Sequence, residues 1–192
     1  MTLTRLVLAT AMAAVAATAH AEAKVGAAAP DFTLPAASDG KSVALKSLLK
    51  TNKAVAVLFI AVKCPYSNGY NERMAQLAKD YAAKGIAVVG INSNKTEPAA
   101  DVAAHAKQHG FSFAVVKDEG NKVADLYGAQ HTPEAFVVDA KGTLVYHGRI
   151  DENYEDAKKV ASPDLRTALD SVVAGTPIKA SETKAFGCSI KR

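Results

Sequence analysis

Cys64 and Cys188 are the two cysteines of the chain, and their surroundings differ. Cys64 closely follows the apolar run Ala54-Val55-Ala56-Val57-Leu58-Phe59-Ile60-Ala61 and directly precedes Pro65, where a helix-like stretch opens. The run is rich in β-branched and large aliphatic residues and reads as a buried strand. A thiol at a strand-to-helix junction faces the positive end of the helix dipole, which favours the thiolate. Lys63 adds a positive charge beside it. The thiolate is the nucleophile of thiol redox chemistry. It can attack a peroxide to give a sulfenic acid, and a second thiol, here Cys188, can condense with that product as a disulfide. Blander readings stand beside this one. Cys64 as an inert half-buried thiol is the first. Cys188 as an unpaired thiol is the second. A permanent Cys64–Cys188 clip on the tail is the third, worth about 4–5 kcal/mol in the chain-entropy model for a loop of this length.

Other polar groups offer further chemistry. Arg149, in His147-Gly148-Arg149-Ile150-Asp151, would stabilise a thiolate and polarise a peroxide if it reached the sulfur. Arg73, nine residues after Cys64, lies more than two helical turns away and is the weaker candidate. Asp101, His105 and His109 fall on one helix face, so the two histidines could share a metal, but the spacing reads better as a solvated face and no metal is expected. The acidic stretch of Asp151, Glu152, Glu155 and Asp156 matches no calcium loop.

The elements that position these groups follow from pattern. Arg5, the apolar stretch Leu6 to Ala17 and the small-x-small Ala19-His20-Ala21 read as a secretory signal peptide over residues 1–21. The stretch is shorter than a membrane span, so the remainder is expected to be periplasmic or secreted, with no membrane contact after cleavage. The formal net charge is +4, and the lysines are scattered without interleaved aromatics, which argues against nucleic acid. An exported chain with two cysteines allows one disulfide. Residues 22–175 read as one domain and 176–192 as a polar tail carrying Cys188. Within the domain, Pro65 fits the first position of a helix, and Tyr70, Met74, Leu77, Ala78 and Tyr81 form one apolar face. Strands follow at Ile86–Ile91 and Phe111–Val116, with a helix from Thr96-Glu97-Pro98 to Gly110 between them. A short helix spans Asn121–Tyr127. Ala135–Val138 and Thr143–His147 pair through the turn Asp139-Ala140-Lys141-Gly142. Ser162-Pro163-Asp164 is expected to cap a last helix ending at Gly175. The order β-α-β-α-β-α-ββ-α gives an α/β domain, its mixed central sheet flanked by helices on both faces.

Several of these segments together resemble a known superfamily. Ala29-Pro30-Asp31-Phe32-Thr33-Leu34-Pro35 and Gly40-Lys41 are similar to the entry segment of peroxiredoxins and TlpA/ResA-type redoxins. The strand before Cys64-Pro65, the helix with Arg73, and Gly85-Ile86-Ala87-Val88-Val89-Gly90-Ile91 continue the likeness. Thr132-Pro133 before Phe136–Gly142 resembles the cis-proline loop and hairpin of the thioredoxin fold. Phe186-Gly187-Cys188-Ser189-Ile190-Lys191 resembles the ending of a peroxiredoxin-like (AhpC/TSA) branch of exported redoxins. The resemblance implies a thioredoxin-like fold with a C-terminal extension. It also implies a thiol oxidoreductase with Cys64 as nucleophile and Cys188 as resolving thiol. Thr132 and a cis Pro133 would shape the site and offer backbone groups to an extended peptide or mixed disulfide. The substrate would be a hydroperoxide or a protein thiol or disulfide. An external thiol would supply electrons, with no cofactor.

The departures from that pattern are specific. In Lys63-Cys64-Pro65-Tyr66-Ser67, Ser67 takes the second-cysteine position of a Cys-x-x-Cys pair. In the peroxiredoxin pattern Pro-x-x-x-Thr-x-x-Cys, the Pro and Thr positions are Val57 and Ala61, so the peroxide-positioning hydroxyl is missing. A non-catalytic periplasmic binding or accessory domain with a fixed Cys64–Cys188 bond is therefore the competing expectation. Isomerase or chaperone work on other exported proteins is a third.

Overall fold

Strand β3 (Ala54–Phe59) has no exposed residue, and the rest of the architecture is arranged to cover both of its faces. The computed structural model describes residues 22–192. The signal peptide expected over residues 1–21 lies outside the described residues. Ahead of β3, a short antiparallel pair, β1 (Thr33–Pro35) and β2 (Ser42–Ala44), leads into α1 (Leu45–Leu49). After β3 come α2 (Pro65–Asn68), α3 (Asn71–Ala82), β4 (Ile86–Asn92), α4 (Ala99–Gln108), β5 (Ala114–Lys117) and α5 (Lys122–Tyr127). The chain continues through β6 (His131–Thr132), the hairpin of β7 (Glu134–Asp139) and β8 (Leu144–Gly148), α6 (Asp164–Ala174) and β9 (Cys188–Ser189).

The main sheet has the order β5-β4-β3-β7-β8. β3, β4 and β5 run parallel, and β7 and β8 are antiparallel additions, so the sheet is mixed as the alternation of elements implied. Successive strand residues point to opposite faces. Ala54, Ala56, Leu58 and Ile60 face α3, α4 and α6, while Val55, Val57 and Phe59 face α1 and α5. Each large side chain buried this way contributes about 1.5–3 kcal/mol relative to exposure.

Three elements depart from their sequence patterns. The helix expected to run on from Pro65 is split at Gly69 and Tyr70. A side chain at Gly69 would overlap the backbone carbonyl of Tyr154, so the loop after β8 is pressed against this point. The Gly69 carbonyl instead accepts a hydrogen bond from Arg73 Nη2 at 3.1 Å. The strand read from Phe111 begins only at Ala114, because Phe111 and Phe113 stack on each other and pack toward the core. Ser162 does not cap α6. Its hydroxyl donates to Asp164 Oδ1 at 2.8 Å, and the Ile150 carbonyl accepts from the Leu165 N–H at 3.0 Å.

The segment after Gly175 is not a loose polar tail. Its Ser181 carbonyl accepts from His147 N–H, and the Thr183 N–H donates to the His147 carbonyl, which fixes it along β8. It then crosses to pair β9 with β6 and ends with Ile190 buried beside Val123, Ala124 and Tyr127. No helix among the described residues is long and apolar enough to cross a membrane.

Leu169 is fully buried at the α6–sheet contact. Leu169→Ala should cost about 2–5 kcal/mol in urea unfolding, whereas exposed Lys79→Ala should stay within about 0.5 kcal/mol.

Candidate redox site

Cys64 is the N-cap of α2, with extended backbone (φ −94°, ψ 117°), and its Sγ accepts the Ser67 N–H at 3.4 Å. Pro65 follows at the first helical position, where its missing N–H costs nothing. The thiol position at a strand-to-helix junction is therefore as the sequence placed it. Ser67, in the position of a second cysteine, is fully buried and structural. Its hydroxyl oxygen accepts the Ala61 N–H at 3.1 Å and pins the loop ahead of Cys64.

A residue missed in the sequence completes that loop. Glu97 accepts the N–H groups of Val62 and Lys63, both at 2.9 Å, and the Asn92 side-chain amide at 2.6 Å. Burial pushes its carboxyl pKa upward, but the Val62, Asn92 and Lys63 hydrogen bonds outweigh burial and hold it below the ordinary value. In the sequence, Thr96-Glu97-Pro98 shows only a helix start; nothing local reveals a partner more than thirty residues away.

The opposite wall is the loop before β7. The Thr132–Pro133 bond is cis. The Thr132 carbonyl oxygen lies 3.1 Å from Cys64 Sγ. Thr132 also pairs with Cys188 in the β6–β9 ladder, and Cys188 is joined to Cys64 by a disulfide spanning 124 residues, with Cα atoms 5.9 Å apart. No free cysteine remains among the described residues. The Thr132 hydroxyl is buried with no hydrogen-bond partner. A second missed carboxylate, Glu134, holds this wall. It accepts the Gln130 and His131 N–H groups at 2.8 Å each and contacts His147 Nε2 at 2.6 Å. Burial raises the Glu134 pKa, but the His147 contact and the two N–H groups outweigh it, so the carboxyl is held low.

Not every expected group arrives. Arg149 does not reach either sulfur; its Nε donates to Asp164 Oδ2 at 2.6 Å, where α6 begins. A carboxylate at a helix start, partly shielded, out-competes a distant sulfur for the guanidinium. Arg73 is likewise taken, by the Asp151 carboxylate and the carbonyls of Asn153 and Tyr154. Glu152 accepts backbone N–H groups of Ala161 and Ser162, so much of the acidic stretch is used to fold its own loop. His105 bonds Asn68 and Asn71 through Nε2 and packs on His109, with no contribution from Asp101. Tyr66, between Pro65 and Ser67, is partly exposed, with its ring near those of Tyr154 and Phe186.

The assembled site is a nearly buried sulfur at a helix start, a cis-proline loop against it, and a second sulfur delivered on a paired strand. Such a set can make, break and exchange disulfides. The disulfide sulfur of Cys64 is met by the Ser67 N–H on one side and by the Thr132 carbonyl oxygen on the other.

Comparison with known proteins gives the same direction. A family model described as the AhpC/TSA family matches residues 25–147, a span that holds Cys64, Thr132 and Pro133 and ends before Cys188. Peroxiredoxin Q, chloroplastic, from Triticum aestivum is 32% identical over 124 residues, covering 61% of this chain and 55% of the relative. Thiol:disulfide interchange protein DsbE from Allochromatium vinosum is 28% identical over 123 residues, covering 64% of each. The chain thus spans less than two thirds of the length of these relatives. A solved hypothetical protein from Sinorhizobium meliloti 1021 superposes with a TM-score of 0.81 at 37% identity, covering 89% of this chain and 96% of that one. The mixed sheet with helices on both faces is the thioredoxin-like arrangement.

Because the folded pKa of Glu97 lies below its unfolded value, its stabilising contribution is full above the unfolded pKa, about 4.3. That contribution fades as pH falls through the lower folded value. Urea midpoints of wild type and Glu97→Gln should therefore differ most at pH 6–7 and draw together progressively as the pH falls below about 4.3. A constant gap across that range would show that the carboxylate charge is not what holds the loop.

Proposed function

This chain belongs to the AhpC/TSA family, and from that premise we propose that it is an exported thiol–disulfide oxidoreductase with Cys64 as nucleophile and Cys188 as resolving thiol. The carrying observation is the bond between the two sulfurs across a hydrogen-bonded strand pair beside the cis-proline loop. In the reduced protein the Cys64 thiolate attacks one sulfur of a partner disulfide. A mixed disulfide forms, and the partner's other sulfur leaves as a thiolate and takes a proton. Cys188, deprotonated, then attacks the Cys64 sulfur and expels the second partner thiolate. The partner disulfide is reduced by two electrons, the Cys64–Cys188 bond is re-formed, and an external dithiol restores the reduced state.

A partner disulfide is favoured over a hydroperoxide. Ala61 offers no hydroxyl to position a peroxide, and both arginines considered for polarising it are held elsewhere by Asp164 and Asp151. A second reading, a fixed clip in a non-catalytic domain, draws support from the 3% exposure of Cys64 and the docking of the tail.

Mass spectrometry of the reduced protein after addition of oxidised glutathione separates these. Wild type should lose both thiols and end without an adduct. Cys188→Ser should accumulate a one-to-one glutathione adduct at Cys64, and Cys64→Ser should react no faster than free cysteine. Resistance of the native Cys64–Cys188 bond to excess dithiothreitol would support the clip. With hydrogen peroxide instead, a Cys64 rate no greater than that of free cysteine is expected.

A further inference from the structure

Asn68, His105 and Asn71 form a polar triangle beside the Cys64 loop, and one of its three contacts is always unfavourable. Asn68 Nδ2 donates to the Val62 carbonyl at 2.9 Å, which leaves Asn68 Oδ1 facing α4. That oxygen lies 3.0 Å from His105 Nε2 and accepts from Asn71 Nδ2 at 3.3 Å, and Asn71 Nδ2 is itself 3.2 Å from His105 Nε2. With a proton, Nε2 donates to Asn68 and meets the Asn71 amide donor to donor. Without one, it accepts from Asn71 and meets the Asn68 oxygen acceptor to acceptor. Asn71 is 3% exposed, and its Oδ1 is buried with no partner among the described residues. Turning the Asn71 amide over would bring that oxygen onto a protonated Nε2. The cluster thus has two arrangements, and the proton on His105 selects between them. Asn68 carries the choice to the redox site, because its N–H donates to the Cys64 carbonyl at 2.9 Å. It holds the carbonyls on both sides of Lys63.

We propose that His105 is a positioning residue of the redox site, and that its protonated ring, acting through Asn68, speeds reduction of the Cys64–Cys188 bond. The proposal rests on the exchange reading above and gives that site a regulator. Cys64 is 3% exposed and Cys188 is half-buried, so an external thiolate attacks the Cys188 sulfur. A sulfur–sulfur bond forms there, the Cys64–Cys188 bond breaks, and its electron pair leaves on Cys64 as a thiolate. With a dithiol, the second thiolate then closes the reagent's own disulfide, and Cys188 departs as a thiolate that takes a proton. Protonated His105 makes a charge-assisted hydrogen bond to Asn68 Oδ1 and polarises the amide, so Asn68 Nδ2 grips the Val62 carbonyl more firmly. Its charge also favours the thiolate forming on Cys64. Burial and the neighbouring His109 lower the His105 pKa, while the Glu97 carboxylate raises it, so the ring charges on the acid side of neutrality. Asp101 stands one turn earlier on α4. Glu72, Arg73 and Glu155 line a cavity of about 270 Å³ that Asn71 and His109 also line, and Arg73 is already paired with Asp151.

The test follows dithiothreitol reduction of the wild-type disulfide from about pH 7.5 down to about pH 5, a range that spans imidazole titration. Thiols are read by mass after alkylation, and each rate is divided by that of oxidised glutathione under the same conditions. The division removes the falling thiolate fraction of the reagent. The ratio should rise about fivefold as His105 charges. In His105→Asn it should stay flat, and in His109→Asn the rise should persist. A flat ratio in the wild-type protein, which needs no variant to fold, would overturn the inference. So would a rise that survives in His105→Asn, which would assign it to His131 or His147 beside Glu134. Both of those outcomes leave the exchange reading standing. A bond that dithiothreitol does not open at any pH would overturn the exchange reading and this inference with it.

Discussion

The pairing of Thr132 with Cys188 decides where the two sulfurs meet. Cys64 and Cys188 are 124 residues apart in sequence, and a ladder of only two residue pairs, β6 on β9, brings them into bonding position. Both walls of the site depend on buried carboxylates that gather backbone N–H groups. Glu97 holds the loop ahead of Cys64 and Glu134 holds the loop ahead of the cis proline. A buried carboxylate is tolerable only when its lone pairs are satisfied, and these are. The Glu97 wall also reaches the tail. Glu97 accepts from Asn92, whose Oδ1 accepts from the buried Lys117 ammonium; Lys117 also donates to the Asn94 carbonyl, and Asn94 Oδ1 accepts the Lys191 N–H. One polar network thus fixes the segment before Cys64 and the segment after Cys188.

Few polar groups reach the Cys64 sulfur. The Ser67 N–H and the Thr132 carbonyl meet the sulfur, and neither arginine contributes a hydrogen bond to it. Beside the sulfur lies the two-pair backbone ladder of β6 and β9. Such pairing recognises an extended chain and gives little to a small oxidant.

Much of this was readable in residues, and the reasons for the remainder are physical. The apolar run before Cys64, the Pro65 helix start, the face of Tyr70, Met74, Leu77, Ala78 and Tyr81, and the hairpin at Gly142 are local patterns, and local patterns determine elements. The likeness of Thr132-Pro133 to a cis-proline loop placed that loop against Cys64. Glu97 and Glu134 were invisible because their significance lies in which backbone groups meet them after folding. Arg149 was misplaced because sequence shows a charge without its competitor, and Asp164 is brought near only by the packing of α6. The docking of the tail was not legible because a two-residue strand and one buried isoleucine leave almost no periodic signal.

The Cys64–Cys188 bond is either a reversible redox pair or a permanent clip. Titration of the wild-type protein in glutathione and dithiothreitol redox buffers, with free thiols read by mass, tests it most directly. A redox pair gives a reversible two-electron transition in the range of thiol-exchange proteins, about −120 to −270 mV. A bond that stays closed below about −300 mV, as structural disulfides do, would contradict it.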